Sequence, residues 1–277
     1  MDTAAPFPAK TLFLHANGFP TGVYRQFLDA LSARTEIIDL PVIETPPDMP
    51  GARRWQAMRD AIRPLIERHG DARCALVGHS MGGYLSLILA ADALPARHPV
   101  VMIDSPMVLG WRSALFDFSR LTGLNYRVGP APIAHRRRDR WDDAATARAF
   151  FAGKRFVQRW APGVLDDFIS QGLAPRHEGG LRLRIPKETE RDIYANLAHR
   201  AAIAALRRLR AAGLAPGFVA GSHSRELRMA GRPGNRRLFG DRWRELPAGH
   251  LIPMELPREC ATAVLELLDP SLARTPT

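Results

Sequence analysis

Gly78-His79-Ser80-Met81-Gly82 follows the apolar run Ala75-Leu76-Val77 and precedes the helix-like stretch 82–93, so the order is strand, sharp turn, serine, helix. This order makes Ser80 the candidate nucleophile and the pentapeptide a nucleophile elbow. The glycines suit such a turn, because a strand and a helix that meet at a serine in strained dihedrals need small neighbours to approach closely.

Outward from the elbow, strands and helices alternate. Residues 11–14 read as a short apolar strand, 21–33 as a helix through Val23, Phe27, Leu28 and Leu31, and 36–40 as a second strand. The proline-rich segment 41–50 reads as a loop, and Trp55, Met58, Ile62, Leu65 and Ile66 carry a helical period that Pro64 should kink or shift. Strands are expected at 73–77, 100–103, 217–220 and 242–246, and a closing helix at 260–268. This alternation implies an α/β fold with a mostly parallel central sheet and helices on both faces. From about Pro106 the alternation stops, and 106–212 carries helical fragments, prolines and many aromatics, among them Trp111, Phe118, Trp141, Phe151, Trp160 and Phe168. The chain therefore divides into a core of 1–105 and 213–277 and an inserted helical cap at 106–212.

Composition narrows the function classes. A chain of 277 residues with 46% hydrophobic content can bury a sizeable core. The apolar run 84–91 is far shorter than the roughly 20 residues that cross a bilayer, and the first eight residues lack the basic and apolar regions of a secretory signal, so a cytoplasmic protein is expected. Cys74 and Cys260 are too few for a disulfide framework and lack the clustered ligands of a zinc site. The net charge of +11 comes almost wholly from arginine, with lysine only at Lys10, Lys154 and Lys187. The densest run, His135-Arg136-Arg137-Arg138-Asp139-Arg140, is interrupted by an acid and has no interleaved aromatics, so it reads as a solvated face and not a nucleic-acid site. No metal, nucleotide or flavin cofactor is called for, because the elbow lacks the glycine spacing and lysine of a phosphate loop.

In an open parallel sheet, reactive groups gather at the carboxyl ends of the strands. Those ends carry His15-Ala16-Asn17-Gly18, Ser80, Asp104 and the Gly221 loop, and a further loop before the last helix reads Gly249-His250-Leu251-Ile252-Pro253-Met254-Glu255. A serine hydroxyl needs a neutral imidazole to take its proton during attack, and His250 is the candidate base. His79, beside the nucleophile, is given a packing or hydrogen-bonding part only.

Three motifs together resemble the α/β-hydrolases over nearly the whole chain outside the cap: His15-Ala16-Asn17-Gly18-Phe19-Pro20 as an oxyanion loop, Gly78-His79-Ser80-Met81-Gly82-Gly83 as the elbow, and Gly249-His250 with Pro253 and Glu255 as the histidine loop. The resemblance implies a serine hydrolase with an α/β-hydrolase fold. It implies an oxyanion hole from the Met81 N–H and a second donor in the first loop, where Ala16 replaces the usual glycine and leaves the Asn17 backbone, the Asn17 side chain and the Gly18 backbone as alternatives. It implies an acid as well. Many relatives carry one in a Gly-x-x-Asp pattern after the cap, but Gly221-Ser222-His223-Ser224 has serine there, so the acid is either Asp104, which is preferred, or Glu226.

A cap rich in aromatics and leucines is expected to close an apolar pocket over Ser80, suiting a small-molecule ester with an apolar part, or a lactone or thioester. Arginines near Leu181-Arg182-Leu183-Arg184 read more simply as a surface alternation than as a carboxylate clamp. Two other readings stay open: an acyltransferase or perhydrolase of the same fold, and a ligand-binding or regulatory protein with little turnover, motivated by the serine at 224.

Overall fold

The computed structural model describes residues 7–38, 40, 45–46, 48–69 and 74–269. The first six residues and half of the proline-rich segment 41–50 lie outside them, as does the start of the strand expected at 73.

Alternating side chains define the sheet. In β1 (Lys10–Leu14), Leu12 and Leu14 face one core cluster while Phe13 faces the other. In β3 (Cys74–His79), Cys74 and Leu76 join the first cluster, and Ala75 and Val77 the second. A sheet buried on both faces follows, with all strand-to-strand pairs parallel. Its order is β2-β1-β3-β4-β8-β9, where β2 is Glu36–Ile38, β4 Val100–Ile103, β8 Gly217–Gly221 and β9 Trp243–Leu246.

Helices cover both faces. The first cluster takes Trp55, Met58, Ile62 and Ile66 from α2 (Gly51–His69), which continues through Pro64 as one helix. It also takes α3 (Met81–Asp92), buried at every residue from Met81 to Ala91. The second takes Phe27 and Leu31 from α1 (Arg25–Leu31) and the apolar side of the closing helix. No helix among the described residues is long and apolar enough to cross a membrane.

Between β4 and β8 the chain is mostly helical: α4 (Trp111–Leu121), α5 (Pro130–Arg136), α6 (Ala144–Ala152), α7 (Val164–Asp167), α8 (Lys187–Ala195) and α9 (His199–Ala211). Three very short strands, β5 (Arg140–Trp141), β6 (Leu173–Pro175) and β7 (Leu181–Leu183), form an antiparallel sheet that sequence periodicity did not reveal. Arg184 donates to the carbonyls of Gln171 and Leu173 at the edge of this small sheet, so this arginine serves the backbone. α9 packs on α3 over the main sheet. After β8 come α10 (Arg225–Ala230), α11 (Arg232–Phe239), α12 (Ile252–Glu255) and α13 (Pro257–Leu268).

Candidate active site

Strand register builds the site. His79 is level with Ile103 and Ile103 with Val219, so the residues that follow, Ser80 and Asp104, emerge side by side at the carboxyl edge of the sheet. Backbone bonds continue the ladder one step beyond the strands, from Ser80 N–H to the Ile103 carbonyl at 2.9 Å and from Asp104 N–H to the Val219 carbonyl at 2.8 Å.

Ser80 has φ 53° and ψ −113°, a conformation that costs a non-glycine residue about 1–3 kcal/mol. The turn is held by close backbone approach. A side chain at Gly78 would collide with the backbone of Gly82, and one at Gly82 with the carbonyl of Leu14. Asp104 also has a positive φ, 37°, so two of the three non-glycine residues with positive φ among the described residues lie at this edge.

The Ser80 hydroxyl donates to His250 Nε2 at 3.0 Å, and His250 Nδ1–H donates to Asp104 Oδ2 at 2.7 Å. His250 arrives on the loop between β9 and α12, fixed by Glu255, whose carboxylate accepts from the Gly249 N–H at 2.9 Å and also meets Arg159. Ser80 and His250 are partly exposed, whereas Asp104 is fully buried.

Asp104 is satisfied on every side. Its Oδ1 accepts from the Gly221 N–H at 3.0 Å, and its Oδ2 accepts from the Ser224 hydroxyl at 2.6 Å as well as from His250. Ser224 occupies the place where the sequence pattern suggested an aspartate, and it now donates to the aspartate that stands on the neighbouring strand. Glu226, two residues on, is exposed and makes no hydrogen bond to His250.

Burial opposes charging of His250, but the hydrogen bond and charge of Asp104, with smaller contributions from Glu226 and Glu255, outweigh it and hold the imidazole pKa above its ordinary value. A base must be neutral to accept a proton, so the acid limb of a pH–rate profile is expected above the ordinary histidine value of about 6.5. Glu226→Gln removes one of the charges that raise this pKa and is expected to move the acid limb to lower pH, with the plateau rate retained; the pH dependence of kcat/KM measures it.

Below His250 lies a second histidine. The Ala16 N–H donates to the Tyr24 hydroxyl at 3.0 Å, leaving the Tyr24 O–H to donate to His79 Nδ1 at 2.8 Å. His79 therefore carries its proton on Nε2 and donates it to the His250 carbonyl at 2.9 Å. Burial, then the neighbouring His250, pushes the His79 pKa down to about 3, so the ring stays neutral and this direction of bonding persists. The relay ties the first loop to the backbone of the histidine loop. Tyr24→Phe strands the Ala16 N–H and His79 Nδ1, and a loss of about 1–3 kcal/mol in unfolding free energy is expected in urea denaturation.

In the first loop, the Asn17 side-chain amide already donates to the Glu190 carbonyl at 2.9 Å. Of the three donors the sequence left open, that one is engaged in holding α8 to the loop, leaving the Asn17 and Gly18 backbones. Across the turn, Met81 is the first residue of α3, whose N–H has no partner within the helix. His15 donates from Nδ1 to the Ala16 carbonyl at 2.8 Å and is buried, which fits a part in shaping the loop.

Glu190 escaped the sequence reading. Its carboxyl lies over Gly18, where an added Cβ would come within 3.1 Å of it, and Arg137 meets it at 2.8 Å. Burial raises its pKa against the opposing charge of Arg137. Nothing in the local sequence Lys187-Glu188-Thr189-Glu190 separates this buried acid from the half-buried Glu188.

Several aromatics of the insertion pack on one another and join the core cluster that holds Phe13 and Tyr24. Phe151 and Phe168 meet at 4.7 Å between ring centroids, Trp160 and Phe168 at 5.7 Å, and Phe19 of the first loop joins Phe168 at 5.9 Å.

The profile of the alpha/beta hydrolase family matches residues 11–263. Lipase LipV of Mycobacterium tuberculosis is 26% identical over 235 residues, which span 80% of this chain and 79% of that protein. Among solved structures, E-2-(acetamidomethylene)succinate hydrolase superposes with a TM-score of 0.67 at 20% identity, covering 94% of this chain and 91% of its own. The thioesterase domain from the curacin biosynthetic pathway superposes with a TM-score of 0.69 at 17% identity, with the same coverages of 94% and 91%. At these identities the two structures share the fold.

Proposed function

The chain belongs to the alpha/beta hydrolase family, and from that premise we propose that it is a serine hydrolase that cleaves a carboxylic ester through an acyl-enzyme on Ser80. The observation that carries this reading is the hydrogen-bonded row from the Ser80 hydroxyl through His250 to Asp104, with Ser80 held in strained dihedrals at a strand end.

In the proposed reaction the Ser80 oxygen attacks the ester carbonyl while its proton passes to His250 Nε2. Asp104 stabilises the imidazolium through the Nδ1–H bond and holds the ring in the tautomer that leaves Nε2 free to accept. The oxyanion meets the Met81 N–H and a backbone N–H from Asn17 or Gly18. Collapse expels the alcohol, protonated by His250. Water then gives a proton to His250 and its oxygen to the acyl carbon, and the acid leaves as Ser80 regains its proton. Lactones and thioesters are open to the same steps.

We assign the substrate an apolar part because Phe19 and the aromatic core of the insertion adjoin the first loop. The carboxyl of Glu190 beside Gly18 disfavours a second anionic group at that end of the site. Residues 106–212 are proposed as the cap, with α8 as the part that closes on the first loop through the Asn17–Glu190 contact. The reading as a binder without turnover drew on the serine at 224, and the bond from Ser224 to Asp104 supplies that serine with another purpose.

A panel of p-nitrophenyl esters of rising acyl length, with aromatic esters and lactones, tests the proposal. Saturable hydrolysis of uncharged apolar esters, weaker on succinate monoesters, is the expected result. Absence of turnover on the whole panel by folded protein contradicts it.

A further inference from the structure

The apolar side chains that face water are concentrated in one segment. Of the ten large hydrophobic residues exposed among the described residues, eight lie between Trp111 and Ile133: Trp111, Leu115, Phe118, Leu121, Leu124, Tyr126, Val128 and Ile133. Four stand on one stripe of α4 at helical spacing, with exposures of 66% for Trp111, 57% for Leu115, 56% for Phe118 and 87% for Leu121. The opposite side of α4 is already occupied. Ser113 and Ser119 are buried, Phe116 meets the His199 ring edge-on at 4.9 Å, and Asp117 pairs with Arg200. The helix is thus amphipathic, with its apolar stripe turned outward, the reverse of an ordinary surface helix.

The same segment is strongly basic. From 111 to 138 it carries Arg112, Arg120, Arg127, Arg136, Arg137 and Arg138 against one acid, Asp117, which is bonded to α9; Arg137 is paired with Glu190 of α8, while Arg127 and Arg136 are exposed. Arg112 lies over the Trp111 ring at 4.5 Å. Beside Ile133 opens a cavity of about 510 Å³ lined by Arg127, Arg136 and Arg137, wide enough for an anionic headgroup.

We propose that α4 and the turn that follows it dock the protein onto an anionic phospholipid bilayer, the apolar stripe entering the acyl boundary and the arginine cavity receiving a lipid phosphate. Aromatic and leucine side chains on one face with arginines at the rim are the chemistry of helices that lie in a membrane interface. A second copy of the chain is a poor occupant, since a two-fold contact would bring the two sets of arginines together. A bilayer accepts eight apolar side chains without matched pockets and supplies the negative charge that the segment lacks. The proposal does not rest on Ser80 chemistry, and a substrate dissolved in lipid would add to its use.

The test is flotation of the full chain with vesicles of phosphatidylglycerol mixed with phosphatidylcholine, and with vesicles of phosphatidylcholine alone. Binding to the anionic vesicles, weakened by salt and much weaker on phosphatidylcholine, is expected. Arg127→Gln and Arg136→Gln should each weaken it about fivefold. L115S/L121S should abolish it while leaving the circular dichroism and any rate on a water-soluble short ester unchanged. Ser80→Ala should float like wild type, so that loss of turnover and loss of docking are told apart. Failure of wild type to float with anionic vesicles overturns the proposal, whether the protein instead forms a dimer that L115S/L121S dissociates or captures an acidic protein. Equal flotation of L115S/L121S overturns it too.

Discussion

Ser80→Ala is expected to lower kcat for ester hydrolysis by about a millionfold while the protein still folds. The size follows from the unit behaviour of a nucleophile and its base: once the attacking oxygen is gone, the imidazole has no proton to accept and the acyl-enzyme cannot form. What remains is the modest acceleration available from backbone donors and substrate orientation. The fold is expected to survive. Ser80 contributes its hydroxyl to His250 and its backbone to Ile103, and alanine keeps the second bond. Thermal unfolding followed by circular dichroism, beside single-turnover kinetics on a p-nitrophenyl ester, checks both halves. A variant that folds and retains a rate within about tenfold of wild type would remove Ser80 from the chemistry.

Asp104→Asn is expected to cost about ten-thousandfold in kcat, the effect of turning a triad histidine to the wrong tautomer. The buried surroundings make this residue sensitive. Asp104 accepts three hydrogen bonds, from the Gly221 N–H, the Ser224 hydroxyl and His250 Nδ1–H. An asparagine amide that keeps its oxygen toward the Gly221 N–H must turn its NH₂ toward Ser224 and His250. The imidazole then accepts at Nδ1 and carries its proton on Nε2, where it cannot take one from Ser80. Glu226→Gln should retain turnover and shift only the acid limb. The reverse result, a near-wild-type D104N beside an inactive E226Q, would move the acid to Glu226.

The elbow, the histidine loop and the sheet were readable because each is written in adjacent residues. A strand, a glycine-flanked serine and a buried helix occupy 74–92 without interruption, and the unbroken apolar run 74–77 suits a strand buried on both faces. The carboxylate that meets His250 was harder. Asp104 and Ser224 are 120 residues apart, and only the pairing of β4 with β8 brings their side chains to 2.6 Å. The sequence could show that an aspartate ended one strand and a serine followed another. It could not show that the serine donates to the aspartate. The small sheet of β5, β6 and β7 was hidden for a related reason, since strands of two or three residues are too short for a period and exist through their partners.

The aromatics of the insertion taught a different lesson. Beyond the pocket wall that their number suggests, several of them bind the insertion to the core of the main domain. Trp141, Phe151, Trp160 and Phe168 are buried in the cluster that also holds Phe13 and Tyr24. Glu190 and Tyr24 were the converse case. Their positions around the first loop are set by tertiary contacts, and no spacing in the sequence marks them.

The central claim is that Ser80 is a nucleophile activated by His250, and covalent capture tests it most directly. Wild-type protein treated with a fluorophosphonate should gain one adduct, mapped by peptide mass spectrometry to Ser80, with Ser80→Ala unlabelled and His250→Ala labelled far more slowly. Folded wild-type protein that stays unmodified, or an adduct that forms on another serine and persists in Ser80→Ala, would contradict the account.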